Sequence, residues 1–304
     1  MKEIIRIVFF LSMIYASALN GQPIALFPSN PHYFLFRGKP EILITSAEHY
    51  GAVVNGEFDY VKYFDALQFI AQQIEGKMDG PVDFSDDPDV QVIVTQYDWA
   101  AGDQMGGLKG LDYEYGHNKP IELNETDYYP AWYGEGNDKI SASRVEAWEF
   151  IVGGGGGFNQ LNGLYTVNNP AGKTDDNDLL CTSLSKLKEF MHSFDFIKMK
   201  PDRNFVIHGI PEGIFYRCLT EPGKQYALYI HHSLRKSESY YFINPGLYRE
   251  NIVLSLPEGN YQTEWINPAD GSVLASEKIK VNGSEYTLTT PQYTIDIALK
   301  IKRI

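Results

Sequence analysis

The chain has few cysteines and lacks the usual metal-binding motifs. Cys181 and Cys218 are the only cysteines among 304 residues, too few for a disulfide framework. We predict two separately buried thiols, although a single disulfide remains open in an oxidising compartment. No HExxH or CxxC pattern occurs, and adjacent His231 and His232 would face opposite sides of a strand. We therefore predict no metal and no other cofactor.

Basic residues are also scarce. Lys and Arg number 26 against 39 Asp and Glu, which gives a formal net charge of −13. Because nucleic-acid phosphates are bound by basic faces, this charge argues against a nucleic-acid partner. Aromatic residues, by contrast, make up 14% of the chain. Aromatic rings fill protein cores, and they also stack on the apolar faces of sugars, so the composition is compatible with a carbohydrate partner.

No apolar run is long enough to cross a bilayer, so we predict no transmembrane segment. The N-terminus nevertheless has the features of a signal peptide over residues 1–18: Lys2 and Arg6 precede the apolar stretch 7–16, and Ala16-Ser17-Ala18 is an A-x-A cleavage site. We expect a secreted, periplasmic or cell-surface protein. A buried N-terminal helix is the alternative.

The C-terminal part, residues 203–304, has the texture of an antiparallel β-sandwich. Turn-forming sequences such as "NPADGS" separate its strand-like segments. In the last segment Ile295, Ile297, Leu299 and Ile301 alternate with polar residues, Asp296 among them, which predicts a half-buried strand. The predicted strands are "FVIHGI", "IFYRCLTE", "QYALYIHH", "NIVLSL", "YQTEWINP", "VLASEKIKV", "EYTLTT" and "YTIDIALKI".

Residues 24–200 alternate between strand-like and helix-like segments. Strands are predicted in "EILITSAEHY", "VQVIVTQYDW", "KPIELNETDYYP" and "GFNQLNGLYT", with a doubtful fifth in "QFIAQQI". Helices are predicted in "SASRVEAWEFIVGG", with a serine N-cap, and in "LLCTSLSKLKEFMHSFDF". Polar residues at the C-terminal tips of the strands are typical of a (β/α)₈ barrel, but a complete barrel needs at least about 200 residues. The fold class is thus α/β plus all-β: an incomplete (β/α)₈ barrel followed by a β-sandwich.

Three stretches resemble parts of a known enzyme class. "FLFRGKPEILITSAEHYGAVVNGEFDYVKYFDAL" resembles the first strand and helix, and "KPIELNETDYYP" the seventh strand, of the retaining (β/α)₈-barrel glycoside hydrolases that include the cellulase-like family 5 enzymes. "VEAWEFIVGGGGGFNQLNGLYT" resembles their seventh helix and eighth strand. The C-terminal part is similar to an accessory domain sometimes described as collagen-binding-like. The resemblance implies hydrolysis of O-glycosyl bonds in an oligo- or polysaccharide, with Glu125 as the nucleophile.

One part of the family pattern is missing. The acid/base glutamate of these families closes the fourth strand in an Asn-Glu-Pro-like motif, whereas the only Asn-Glu of this chain is Asn124-Glu125 itself. The first helix continues directly into "QFIAQQIEGK", which resembles the family's fifth strand. A seam near residues 67–69 would have removed strands two to four together with the general acid. Residues 153–157, "GGGGG", lack the Lys-Ser/Thr of a phosphate loop and are predicted to let the backbone pass tightly.

The other site candidates surround Glu125. Glu48 follows the first strand, which in a full barrel flanks the eighth; the resemblance gives Glu48 a substrate-binding role, and it is also a candidate acid. Because strand side chains alternate, Asn159 and Gln160 cannot both face one pocket. Trp99, Trp132 and Tyr97 could equally be core residues, and Asp98 a structural one. The predicted substrate contacts are His49, Tyr50, Tyr97, Asp98, Trp99, Asn124, Trp132, Asn159, Gln160 and Asn162.

Three hypotheses remain open at the level of sequence. The first is an exported retaining glycoside hydrolase with Glu125 as nucleophile. The second is a catalytically silent relative that binds carbohydrate without cleaving it. The third is a truncated gene product whose intact parent is the enzyme, which DNA sequence across codons 60–75 would test. The substrate sugar, its linkage and the oligomeric state do not follow from the sequence.

Overall fold

The computed structural model describes residues 23–47, 73–74, 85–96, 111–112, 114–127, 138–161, 173–234 and 242–304. Within these ranges two α-helices are described over their full length, together with a series of strands. The helices are α1 (Lys139–Val152) and α2 (Asp175–His192). In the N-terminal half the strands are β1 (Ala25–Leu26), β2 (Phe34–Phe36), β3 (Lys39–Glu41), β4 (Leu43–Ala47), β5 (Gln73–Ile74), β6 (Ile93–Gln96), β7 (Ile121–Asp127) and β8 (Gly157–Leu161).

The C-terminal half is built from strands, as the turn spacing predicts. Each of the eight predicted segments contains one, and three short strands (β9, β13 and β14) were not predicted. The strands are β9 (Lys200–Pro201), β10 (Val206–His208), β11 (Phe215–Glu221), β12 (Gln225–His231), β13 (Ser233–Leu234), β14 (Phe242–Ile243), β15 (Asn251–Ser255), β16 (Gly259–Ile266), β17 (Val273–Val281), β18 (Glu285–Thr289) and β19 (Asp296–Arg303).

Five strands of the N-terminal half form one sheet in the order β4-β8-β7-β6-β5, and all of its pairings are parallel. The first strand of this sheet lies beside the last, as in a barrel, and the doubtful strand in "QFIAQQI" is present as β5. Among the described residues, however, β4 and β5 are not paired with each other. The described part of the sheet is therefore open and forms no closed barrel.

The C-terminal strands form a six-stranded antiparallel sheet, in the order β17-β16-β19-β12-β11-β9, and a three-stranded sheet, in the order β10-β15-β18. A shared apolar core joins the two sheets. It includes Leu228 and Ile230 from β12, Leu254 from β15, and Leu299 and Ile301 from β19. Period-2 alternation explains how each strand contributes one face to this core.

The other face of the six-stranded sheet is covered by the helices. Trp148 of α1 stacks on Tyr229 of β12, with ring centroids 5.5 Å apart, and packs against Phe190 of α2 at 5.1 Å. Leu219 and Ala298 belong to the same buried cluster. The prediction of a half-buried last strand is therefore wrong for the first part of β19, because the helices bury its second face as well.

Helix α1 is capped differently from the prediction. Its N-cap is Asp138, whose side chain accepts from the backbone N–H of Ser141 at 3.1 Å and from the Ser141 hydroxyl at 2.6 Å. The predicted serine cap is thus inside the first turn, and an aspartate before the helix satisfies the N–H groups instead. Helix α2 is capped by the Thr174 side chain, which accepts from the N–H of Asn177 at 3.1 Å.

The glycine run between α1 and β8 lets the chain turn back tightly, as predicted. Gly154 has a φ of +110°, in the region that favours glycine. A Cβ on Gly156 would lie 2.4 Å from the carbonyl oxygen of His32, a backbone atom that cannot move aside easily. The run thus brings the start of β8 against the chain that precedes β4.

We predict that Gly156→Ala destabilises the protein by about 1 to 3 kcal/mol, the usual cost of overpacking a filled interior. The free energy of unfolding by urea is the measurement. Gly283→Ala is the matched control, since a Cβ there meets nothing within 4 Å and should change stability by less than about 0.5 kcal/mol. Equal effects of the two substitutions would contradict the packing described for the glycine run.

Candidate functional site

The strongest candidate site lies midway along the parallel strands β4, β7 and β8, two or three residues before each strand ends. Three polar side chains there form a hydrogen-bonded chain across the sheet. The hydroxyl of Thr45 donates to Oδ1 of Asn159 at 2.7 Å, and Nδ2 of Asn159 donates to Oδ1 of Asn124 at 2.8 Å. Because the Asn124 oxygen is used as an acceptor, its amide NH₂ forms the donor end of the chain.

The strand register places these residues next to one another. Thr45 of β4 pairs with Asn159 of β8, and Leu123 of β7 pairs with Phe158. Two of the residues, Asn124 and Asn159, are predicted site residues. Thr45 was missed, although it lies within a predicted strand; the pairing of the first strand with the eighth is the signal that could have found it.

The backbone of β7 has an irregularity at Glu125. Leu123 pairs with Phe158 and Thr126 pairs with Gln160, so β7 has two residues, Asn124 and Glu125, where β8 has only Asn159. An extra residue of this kind is a β-bulge, which breaks regular side-chain alternation and is common beside active sites. The structure describes the backbone of Glu125 but not its side chain.

The two faces of the parallel sheet differ in polarity. Ile121, Leu123 and Phe158 belong to the apolar cluster around the helices. Gln160 follows Phe158 by two positions and is fully buried, so alternation puts it on that helix-facing side. Asn159 belongs to the opposite face. The sequence alone left open whether Asn159 or Gln160 faces the site. The structure gives Asn159 this position, bonded to Asn124.

A further carboxyl group, Glu122, lies on β7 two positions before Asn124 and was missed by sequence reasoning. A Cβ on Gly157 would lie 3.0 Å from Cγ of Glu122, so the glycine makes room for this side chain. Burial raises the pKa of Glu122 above its ordinary value, because the interior disfavours the charged carboxylate. Two positions along a strand amount to about 6.6 Å, so the Cα atom of Glu122 lies about that far from Asn124, towards the start of β7.

This raised pKa gives a prediction of pH dependence. Between the two pKa values of Glu122, the native state binds more protons there than the unfolded state does. The wild type therefore loses stability as the pH rises from the unfolded pKa, about 4.3, through the higher native pKa. The stability of Glu122→Gln relative to wild type should therefore increase across that window and stay constant above it. Urea unfolding at several pH values measures this difference. A difference that shrinks as the pH rises would contradict the assignment.

The remaining predicted residues cannot be compared with the structure. Glu48, His49, Tyr50, Tyr97, Asp98, Trp99, Trp132 and Asn162 lie outside the described residues. Within the described ranges no cluster of three or more His, Cys, Asp or Glu side chains could hold a metal ion. Cys181 and Cys218 form no disulfide with each other; Cys218 is buried as predicted, but Cys181 is only partly so. Across the same ranges, no helix combines the length and apolar character needed to cross a membrane.

Comparisons with known proteins concern the fold. No protein-family model matches the chain, and no curated protein matches it. A crystal structure of a glycoside hydrolase family 5 protein from Bacteroides vulgatus ATCC 8482 matches 82% of this chain and 60% of its own length, with a TM-score of 0.54 and 12% identity. This chain thus spans about 60% of that relative's length.

Two further solved structures are similar over most of this chain. One, described as a glycoside hydrolase, matches 92% of this chain and 97% of its own, with a TM-score of 0.46 and 9% identity. The other, a maltogenic α-amylase from Thermotoga neapolitana, matches 80% of this chain and 66% of its own length, with a TM-score of 0.40 and 12% identity. The structural neighbours are glycoside hydrolases at low sequence identity, and the likeness of fold rests on the family 5 structure, whose TM-score is 0.54.

Proposed function

We propose that the chain is an exported glycoside hydrolase-like protein in which Glu125 is the nucleophile of a retaining mechanism. The observation that carries the proposal is the arrangement across the parallel sheet: Glu125 sits at a bulge of β7, directly after Asn124, whose side chain accepts from Asn159, which in turn accepts from Thr45. The fold likeness to a family 5 glycoside hydrolase supports this proposal. Under it, the parallel sheet belongs to an incomplete (β/α)₈ barrel and the antiparallel sheets form an accessory β-sandwich.

The proposed chemistry has two steps. In a retaining mechanism a carboxylate attacks the anomeric carbon and expels the leaving oxygen, and water then hydrolyses the glycosyl–enzyme intermediate. A second carboxyl group, about 5 to 5.5 Å from the first, normally protonates the leaving oxygen and then deprotonates the water. The sequence lacks the second Asn-Glu motif that would supply this group. We therefore propose that Glu125 acts on substrates whose leaving groups need no proton.

The amide NH₂ group of Asn124 is proposed to orient the substrate in this mechanism. The Asn124 amide NH₂ is left to donate to a substrate hydroxyl, because the Asn124 amide oxygen already accepts from Asn159. A prearranged donor of this kind orients the sugar without being reorganised when it binds. Asn159 is proposed as a positioning residue, since it acts through Asn124.

The stereochemistry of hydrolysis tests the proposed function. A panel of 2,4-dinitrophenyl glycosides of neutral sugars should include at least one that is hydrolysed with retained anomeric configuration, as followed by NMR of the first product. Inverted product would rule out a nucleophilic role for Glu125. Glycan binding with no turnover of any member would favour the second candidate, a silent carbohydrate-binding relative, which the missing second carboxylate makes a specific alternative.

A further inference from the structure

A cleft outside the strand tips lies between the C-terminal end of α1 and the strands β9 and β11. Its volume is about 330 Å³, and its walls include Asp112, Glu149, Arg203, Phe215 and Arg217. This volume is at the lower end of the range of about 300 to 1,000 Å³ that small-molecule sites occupy. The cleft therefore has room for a small ligand rather than an extended one.

The cleft is separate from the candidate active site. Helix α1 connects the parallel strands β7 and β8, so it runs antiparallel to them. Its last turn, which contributes Glu149 and the following Gly153 to the cleft, lies beside the N-terminal ends of the strands. Asn124 and Asn159 lie further along β7 and β8, in the direction of the C-terminal strand ends at which active sites of (β/α) barrels are found.

Two arginines and two acids are fixed in the wall of the cleft. Arg203 donates to Oδ2 of Asp112 at 2.9 Å, and Arg217 donates to Oδ1 of the same carboxylate at 2.8 Å. Arg217 also approaches Oε1 of the buried Glu149 at 3.4 Å. The Arg203 side chain is 75% exposed, so part of its planar set of five N–H donors faces the solvent.

The charge of the lining selects the kind of ligand. The lining includes three acids, Asp112, Glu149 and Asp202, and two arginines, and Glu149 is also bonded to His231 at 2.6 Å. A charged ligand of either sign would therefore compete with partners already in place. Neutral hydroxyl groups can pair with both the acids and the arginines, because they donate to carboxylates and accept from guanidinium N–H groups. Phe215 and Pro201 add an apolar wall, against which the C–H face of a sugar ring could pack.

We propose that this cleft is a second, non-catalytic binding site for a neutral saccharide of one or two sugar residues. The cleft would hold the protein to a glycan while the strand tips remain accessible. This role does not depend on catalysis by Glu125, so the cleft and the proposed active site can be tested independently of each other.

The test uses the full chain and a glycan array of neutral and acidic oligosaccharides, followed by calorimetric titration with the tightest neutral binder. Arg203→Ala should weaken binding at one site by about tenfold or more, since a hydrogen bond from a charged donor is lost. The side chain of Arg203 is exposed, so the variant should keep the circular dichroism spectrum of the wild type. Arg249→Ala, an exposed arginine outside the cleft, should bind within about twofold of wild type.

Other variants separate the two sites. Asn159→Ala should retain one binding event with wild-type affinity, and Arg203→Ala should retain the wild-type rate with aryl glycosides. If Asn159→Ala removes all binding and Arg203→Ala leaves it unchanged, the saccharide binds only at the candidate active site. This result would overturn the second site. Binding of acidic glycans alone, or of no glycan on the array, would also overturn the proposal. Absence of turnover in every variant would count against the active site only.

Discussion

Asp296→Ala is expected to lower the free energy of unfolding by about 3 to 5 kcal/mol, the usual effect of removing one partner of a buried ion pair. Asp296 accepts two hydrogen bonds from Arg144 of α1, both 2.9 Å, and a third of 2.8 Å from the Tyr229 hydroxyl. The side chains of Arg144 and Asp296 are only 7% and 3% exposed. Truncation would therefore leave a guanidinium group buried without its counter-charge.

The pKa values of the group agree with this view. Burial disfavours the charged form of Arg144, yet the charge and hydrogen bonds of Asp296 keep its pKa above the ordinary value. Burial, together with the Asp296 charge, also raises the pKa of Tyr229 well above its usual range. The three groups thus form one network between α1 and the six-stranded sheet.

Urea unfolding provides the measurement, and the same strand provides the control. Lys300 of β19 forms an ion pair with Glu264 in which the side chains are 21% and 27% exposed, so Lys300→Ala should cost no more than about 1 kcal/mol. The double substitution Arg144→Met with Asp296→Leu should recover most of the loss, because an apolar pair removes both buried charges. If Asp296→Ala costs no more than Lys300→Ala, the network does not stabilise the interface.

A steep dependence on the leaving group is the second large effect that we expect. General acid catalysis contributes about 10² to 10⁴ in rate, but only when the leaving oxygen needs a proton. A protein with Glu125 and no acid should therefore hydrolyse 2,4-dinitrophenyl glycosides and be about 10² to 10⁴ slower with the corresponding alkyl glycosides or natural disaccharides. The measurement is kcat/KM across a series of aryl glycosides with increasing phenol pKa.

Glu48→Gln is the informative variant for this prediction, because Glu48 is the candidate substitute acid. If Glu48 only contacts substrate, the variant should lower kcat/KM by a similar factor for every leaving group. A loss confined to poor leaving groups would identify Glu48 as the acid. A flat series in the wild type, with natural oligosaccharides cleaved as fast as activated ones, would contradict the absence of a proton donor.

Much of the fold could be predicted from local patterns. β-Branched segments with polar ends predict β4, β6, β7 and β8, and the order of these strands follows from the barrel-like alternation with helices. The resemblance of "QFIAQQI" to a fifth strand anticipates β5, of which the structure describes Gln73–Ile74, paired with β6. These features depend on residues close together in sequence, which is why periodicity detects them.

Side-chain contacts between distant segments were not predicted. Alternation correctly places Ile297, Leu299 and Ile301 in one core, but it treats Asp296 as a solvent-facing residue. Only the packing of α1 on the sheet, 152 positions away in sequence, shows that Asp296 is buried with Arg144. The hydrogen bond from Thr45 to Asn159 likewise depends on the pairing of the first parallel strand with the last. A strand's own pattern cannot show what covers its second face.

The most direct test of the account is covalent trapping with a 2-deoxy-2-fluoro glycoside that has a dinitrophenyl leaving group, read out by intact mass and peptide mapping. Fluorine slows the second step, so a protein that uses Glu125 as its nucleophile should gain the mass of one fluorosugar on the peptide containing Glu125. The Glu125→Gln variant should gain none. A label on another carboxylate, or equal labelling of the variant, would contradict the account.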